Sequence, residues 1–168
     1  MLKKSSYLVI LIAVLLIVGC DSQPVSPLNS KSNQISGETK LVKSVNPGTT
    51  KELESGDVQI RNRIMVFEDT ANDNQLSGMR NIVFNHNYNK NKEGHCYGTF
   101  TITTDSGQWE GDWRGTTTSS ITVINAIGYS LDEREKYCEW TYSFSNLEDL
   151  HNGTYTAKIF YDDRDEQF

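Results

Sequence analysis

The sequence predicts an all-β fold, a single antiparallel meander β-barrel of about eight strands. Apolar and polar residues alternate with a period of two through most of residues 57–161. The connections are short enough for hairpins, and no segment after the N-terminal apolar run has a helical pattern. Closure into a barrel removes exposed strand edges and fills the interior with alternating side chains. A two-sheet β-sandwich is the alternative architecture.

The most informative segment, residues 99–118, predicts two strands joined by a tight turn. Gly107 ends a three-residue loop and is expected to adopt the positive φ that such a hairpin requires. On the returning strand Trp109 and Trp113 alternate with charged residues, and glycines share their face. Repeated glycine in a strand indicates sharp coiling of the barrel wall or a close approach across it.

Five further segments show strand patterns of the same kind. The seven predicted strands together are residues 57–68, 80–88, 96–104, 108–116, 119–128, 137–144 and 153–161. In the first, Ile64 and Val66 are expected to face inward. An eighth strand would come from a division of this long first segment or from the end of the preceding linker.

Three parts of the chain are distinguished by composition. Residues 1–19 carry two lysines, an apolar run and a glycine, and predict a lipoprotein signal peptide. The run of about a dozen apolar residues is shorter than the roughly 17 to 25 needed for a spanning helix. Residues 20–56, rich in Ser, Asn, Thr, Lys, Gly and Pro, predict a lipidated cysteine and a flexible linker. Residues 57–168 form the predicted barrel domain.

The motif that ends at Cys20, Ile17-Val18-Gly19-Cys20, resembles the lipobox of bacterial lipoprotein precursors. The resemblance implies cleavage before Cys20, acylation of this residue with chains such as palmitate, and attachment to a membrane. We therefore expect an extracytoplasmic protein, lipid-anchored in the bacterial cell envelope.

The composition argues against nucleic acid as a partner. The formal net charge is −6, and loss of Lys3 and Lys4 with the signal peptide makes it two units more negative. An acidic chain without a basic patch is repelled by phosphate backbones. The expected partners are instead the membrane, through the lipid anchor, and a small apolar ligand or an envelope protein.

The other two cysteines, Cys96 and Cys138, are predicted to form a disulfide, as is common in exported proteins. The alternative is two separately buried thiols. Both lie on faces expected to point inward, but on the third and sixth predicted strands, so bridging requires that both lie near one barrel mouth.

Three motifs carry a family resemblance: Gly107-x-Trp109-Glu110-Gly111-x-Trp113-x-Gly115 in the hairpin, Asp69-x-x-x-Asp73-x-x-Leu76-Ser77-Gly78 before it, and Gly98-x-Phe100-x-Ile102. With these motifs the chain resembles small bacterial proteins related to the allene oxide cyclase-like barrel. The resemblance implies an eight-stranded antiparallel barrel, in some members with an apolar cavity. The catalytic carboxylate of the plant cyclases aligns with no residue of this chain, so the resemblance does not support cyclase chemistry.

No catalytic constellation, metal site or cofactor motif is predicted. The three histidines are far apart in the sequence, and the Asp69–Asp73 region is interpreted as a turn stabilised by side-chain hydrogen bonds. The charged side chains of Glu110, Asp112 and Arg114 are expected to meet water. A possible ligand cavity would be lined by aromatic residues and one histidine: Phe84, His86, Tyr88, Phe100, Trp109, Trp113, Trp140 and Tyr142. The alternative, which we favour, is that these side chains simply fill the barrel.

Three functions are compatible with this sequence. The first is a tethered, non-catalytic barrel that binds a small apolar ligand or a partner protein at the cell envelope. The second is a cyclase- or isomerase-like enzyme acting on an apolar substrate in the barrel, and the third is a structural or adhesive surface domain. The first two predict a cavity of a few hundred Å³, and the third predicts a filled core.

Overall fold

The computed structural model describes residues 34–133, 135–145 and 150–161. These residues form nine β-strands and one 3-10 turn, Asn74–Leu76. The strands, in chain order, are β1 (Ile35–Asn46), β2 (Thr49–Glu52), β3 (Val58–Ala71), β4 (Gly78–Tyr88), β5 (Gly94–Thr104), β6 (Gly107–Thr117), β7 (Thr122–Ser130), β8 (Lys136–Phe144) and β9 (Asn152–Tyr161).

Eight of these strands close into an antiparallel barrel. The order along the sheet is β1-β9-β8-β7-β6-β5-β4-β3-β2, and an additional pairing of β1 with β3 joins the sheet to itself. Strand β2 lies outside the closed ring and pairs with the first residues of β3. The predicted fold class is confirmed, and the β-sandwich alternative is wrong.

The barrel begins earlier in the chain than predicted. Strand β1 lies within residues 20–56, which were expected to be a flexible linker, and it pairs with β9 on one side and β3 on the other. Only Ile35 and Thr39 of this strand are buried, so β1 lacks the apolar alternation that marks the other strands. The eighth strand therefore comes from the end of the predicted linker, and the boundary expected at residue 56 is wrong. Residues 1–33 lie outside the described part of the chain.

A bulge in β3 inverts the expected inward face of that strand. Asn62 has a φ of 56°, and the register with β4 shifts between Ile60 and Arg63. After a bulge of one residue the alternation changes phase. Met65 and Phe67 consequently enter the core, whereas Ile64 and Val66, which were predicted to face inward, do not belong to the core cluster, although Val66 is buried.

The hairpin between β5 and β6 has the predicted location and a shorter loop. Thr104 pairs with Gly107, so the loop contains two residues rather than three. Gly107 has a φ of 142°, as its glycine identity allows. Glycine also permits a close approach inside the barrel, because a Cβ atom on Gly98 would lie 3.0 Å from Cε2 of Trp113. The predicted glycine repeat lies on β6, where a Cβ atom on Gly115 would lie 3.0 Å from Sγ of Cys96, a side chain of the neighbouring strand.

Candidate functional site

The residues predicted to line a ligand cavity do face the barrel interior. Seven of them are buried, and Tyr88 is half-buried near the end of β4. Their rings contact one another and leave little space between them. The ring centroids of Phe84 and Trp113 are 5.4 Å apart in a stacked arrangement, and Trp140 packs edge to face against Phe100 at 5.5 Å and Trp109 at 5.7 Å. These residues form a packed aromatic core.

The cavity that remains among these side chains is small. The space in which the centre of a water molecule fits is about 10 Å³, and its lining consists of Arg80, Ile82, Phe100, Trp113, Ile124, Ala126 and Tyr142. Such a volume holds about one water molecule. The interior at this position therefore has no room for an apolar ligand of the size that occupies cavities of roughly 300–1,000 Å³.

The core also contains a buried ion pair. Arg80 donates from Nε to Oδ2 of Asp69 at 2.7 Å and from one terminal nitrogen to Oδ1 at 3.1 Å, so the pair is bidentate. The same terminal nitrogen donates to Oγ1 of Thr39, and the Tyr142 hydroxyl donates to Oδ2 of Asp69. The guanidinium lies between the rings of Phe67 and Tyr142 at 4.8 and 4.1 Å from their centroids. This cluster ties β1, β3, β4 and β8 together.

Burial and the neighbouring groups shift the pKa values of Arg80 and Tyr142 in this cluster. Burial, the largest single cause, lowers the pKa of the Arg80 guanidinium, but the charge and hydrogen bonds of Asp69 together with Tyr142 and Tyr155 outweigh it, and the net shift of the pKa is upward. Burial, followed by the effect of the Asp69 charge, moves the pKa of Tyr142 upward despite the opposing effect of Arg80. Both upward shifts keep Arg80 a guanidinium and Tyr142 a neutral phenol at neutral pH.

Sequence reasoning missed this ion pair. Asp69 was interpreted as a turn residue, but it ends the buried face of β3 and is 1% exposed. The turn itself is confirmed at Asp73, whose Oδ1 accepts a hydrogen bond from the Gln75 amide at 2.8 Å. One signal was available, because Arg80 falls on the same face of β4 as Ile82 and Phe84.

His86 is the second unusual polar residue of the interior. Its side chain is fully buried, and within the described part of the chain neither ring nitrogen has a hydrogen-bond partner. The ring centroid lies 5.6 Å from that of Phe84 and 4.8 Å from that of Tyr88. Burial, with a smaller effect of His95, lowers the pKa of His86 to about 4. The imidazole is thus neutral at physiological pH.

The predicted disulfide between Cys96 and Cys138 is wrong. Both thiols are free and buried. Each cysteine is the third residue of its strand, and β5 and β8 are three antiparallel steps apart in the sheet. Because an odd number of steps reverses strand direction, the two cysteines lie near opposite ends of the barrel, too far apart to be bridged.

We expect both thiols to be unreactive in the folded chain. Burial raises the pKa of Cys96 to about 11 and moves the pKa of Cys138 upward as well, so little thiolate forms at neutral pH. N-ethylmaleimide should leave both unmodified in native protein and modify both in denaturant, without added reductant. Mass spectrometry of the two samples measures this, and a requirement for reductant would contradict the assignment.

The remaining surface features give no reactive group. Glu110, Asp112 and Arg114 are exposed, as predicted for the polar face of β6. Among the residues described by the structure, no three histidine, cysteine or carboxylate side chains are arranged to hold a metal ion. The same residues include no helix that is long and apolar enough to cross a bilayer.

The arrangement as a whole is that of a closed barrel packed with aromatic residues around a buried ion pair and a neutral histidine. Compared with family models, curated proteins and solved structures, the chain matches none of them.

Proposed function

We propose that this chain is an extracytoplasmic lipoprotein, tethered to a membrane of the bacterial cell envelope through Cys20, whose barrel acts without catalysis as a binding module. The proposal that the barrel acts without catalysis rests on its packed interior, where the cavity among the aromatic side chains is about 10 Å³. A partner therefore binds at the outer surface of the barrel. An apolar substrate in the core, as a cyclase or isomerase needs, would have to displace rings that already contact one another.

The tether rests on the sequence. Cys20 follows an apolar run and a glycine, as in lipoprotein precursors, and 14 residues separate it from the first residue of β1. Several acyl chains on one residue give a membrane attachment that is effectively permanent, whereas a single chain is reversible. Neither Cys96 nor Cys138 competes for acylation, since both are buried.

The test is metabolic labelling with a fatty-acid analogue in a bacterial host. The unaltered chain is expected to incorporate label and to sediment with membranes, and Cys20→Ala is expected to lose both properties. Cys96→Ala is the matched control and should keep both. Label on the Cys20→Ala chain, or a soluble and unlabelled wild type, would refute the tether.

Native mass spectrometry tests the other half of the proposal. The folded chain is expected to appear at the mass of the protein and its anchor, with no additional apolar small molecule retained. A stoichiometric ligand that is released only on unfolding would favour the cavity-binding alternative instead.

A further inference from the structure

One end of the barrel carries an exposed aromatic patch on its outer face. The patch spans the end of β7, the start of β8 and the end of β9, and we define it as Ile127, Tyr129, Leu131, Tyr137 and Phe160. Three of its members, Ile127, Tyr129 and Leu131, are among the nine exposed large hydrophobic residues of the described chain. Soluble surfaces carry such residues singly as a rule, whereas a contiguous group marks an interaction site.

The patch is contiguous because strand register aligns its rings. Tyr129 pairs with Tyr137, and Tyr137 pairs with Phe160, so three aromatic residues form one row across three strands. Their ring centroids are 6.3 and 4.7 Å apart along the row. Tyr129 is 56% exposed, and the row is therefore a ridge that a partner can contact.

The chain enters the barrel at this same end. Ile35, the first residue of β1, pairs with Ala157, only three residues before Phe160 on the neighbouring strand β9. With Cys20 anchored, the 14 intervening residues span at most about 50 Å when fully extended. As a coil they would span roughly 20 Å. The patch is consequently held close to the bilayer at a high effective concentration.

We propose that this patch docks on the surface of the lipid bilayer to which the chain is tethered, and orients the barrel with the β1 end toward the membrane. This inference rests on the proposed lipid anchor. Tyrosine suits this location, because its ring is apolar and its hydroxyl is polar, and it is enriched where hydrocarbon meets headgroups.

The charges around the patch select the kind of lipid. Glu110 pairs with Tyr129, and Glu139, exposed beside Lys158, occupies the next row. The chain is acidic overall. Because the lysines beside the patch, Lys136 and Lys158, are matched by Glu133 and Glu139, attraction to anionic headgroups is weak, and the proposed docking surface is a zwitterionic interface such as phosphatidylethanolamine, contacted through apolar and aromatic groups.

The test uses the acylated full chain bound to vesicles that contain phosphatidylethanolamine and phosphatidylcholine. A nitroxide label is attached at Ile127→Cys in the patch or, as the matched control, at Ile121→Cys. Both native side chains are exposed, and Ile121 lies before β7 at the opposite end of the barrel. Collision with a water-soluble nickel reagent is expected to fall several-fold for the label at 127 upon vesicle binding and to stay unchanged at 121.

Further variants separate the outcomes. Tyr129→Ser with Tyr137→Ser should restore nickel access at 127 while the chain stays on the vesicles. Equal access at both positions on vesicle-bound protein would overturn the docking, whereas a chain that fails to bind vesicles would refute the anchor itself. Shielding at 127 in the Cys20→Ala chain without vesicles would indicate a second copy on the patch and would also overturn the proposal.

Discussion

Replacement of Arg80 by methionine is expected to lower the free energy of unfolding by about 3 to 5 kcal/mol, the largest effect of any single substitution considered for this barrel. Methionine removes both hydrogen bonds to Asp69 and the bond to Thr39, but leaves the Asp69 carboxylate 1% exposed in the core. The remaining polar contact of the carboxylate, from the Tyr142 hydroxyl at 3.2 Å, cannot replace a guanidinium.

Denaturant unfolding of the Cys20→Ala chain measures this effect. Lys158→Met, on the exposed face of β9, is the matched control and should change stability by less than about 0.5 kcal/mol. The double variant Asp69→Leu with Arg80→Met should recover a large part of the loss, because an apolar pair can replace a buried ion pair at little cost. A loss below about 1 kcal/mol in Arg80→Met alone would show that water reaches the carboxylate.

The parts of the fold that follow from sequence are those in which side-chain alternation reports burial directly. Trp109, Trp113, Trp140 and Tyr142 were placed on inward faces because charged or small polar residues separate them, and all four are buried. Seven of the eight barrel strands carry such a pattern. The closed barrel then follows from the number of short strands and the absence of any helix to cover a sheet.

Strand β1 could not be found by this reasoning. It is stabilised by main-chain pairing with β9 and β3, and its inward positions include Gly37, over which the Tyr155 ring packs. A strand that contributes hydrogen bonds and a glycine to the barrel, with only Ile35 and Thr39 buried, has the composition of a linker. That these residues form a strand depends on the closure of the whole sheet, which the local sequence does not report.

The interior polar residues were missed or misjudged for a related reason. Asp69 and Arg80 are the residue types expected at a surface, and only the phase of β3 after its bulge at Asn62 turns Asp69 inward. The bulge itself has no strong sequence signal. The aromatic wall was correctly identified, but the volume left between its rings depends on rotamers and strand coiling, which periodicity does not encode.

His86 is expected to make the stability of this barrel depend on pH between about 4 and 6.5. Its pKa is about 4 in the folded chain, against 6.5 for an ordinary histidine. Between these values the unfolded chain binds more protons than the folded one. The contribution of His86 to the free energy of unfolding is therefore fully present above pH 6.5 and is lost as the pH falls toward 4. The shift sets an upper limit of about 3 kcal/mol on the loss.

Two substitutions separate titration from packing at this position. His86→Leu removes the titrating group and the two buried nitrogens without partners; it should flatten this part of the pH profile and leave the barrel at least as stable at pH 7. His86→Gln also removes the titration but keeps a buried polar group, so it should flatten the profile at lower stability, by about 1 to 3 kcal/mol. Urea unfolding at half-unit steps from pH 4 to 7.5 measures both. A profile for His86→Leu that is as steep as that of the unaltered chain would assign the pH dependence to other groups.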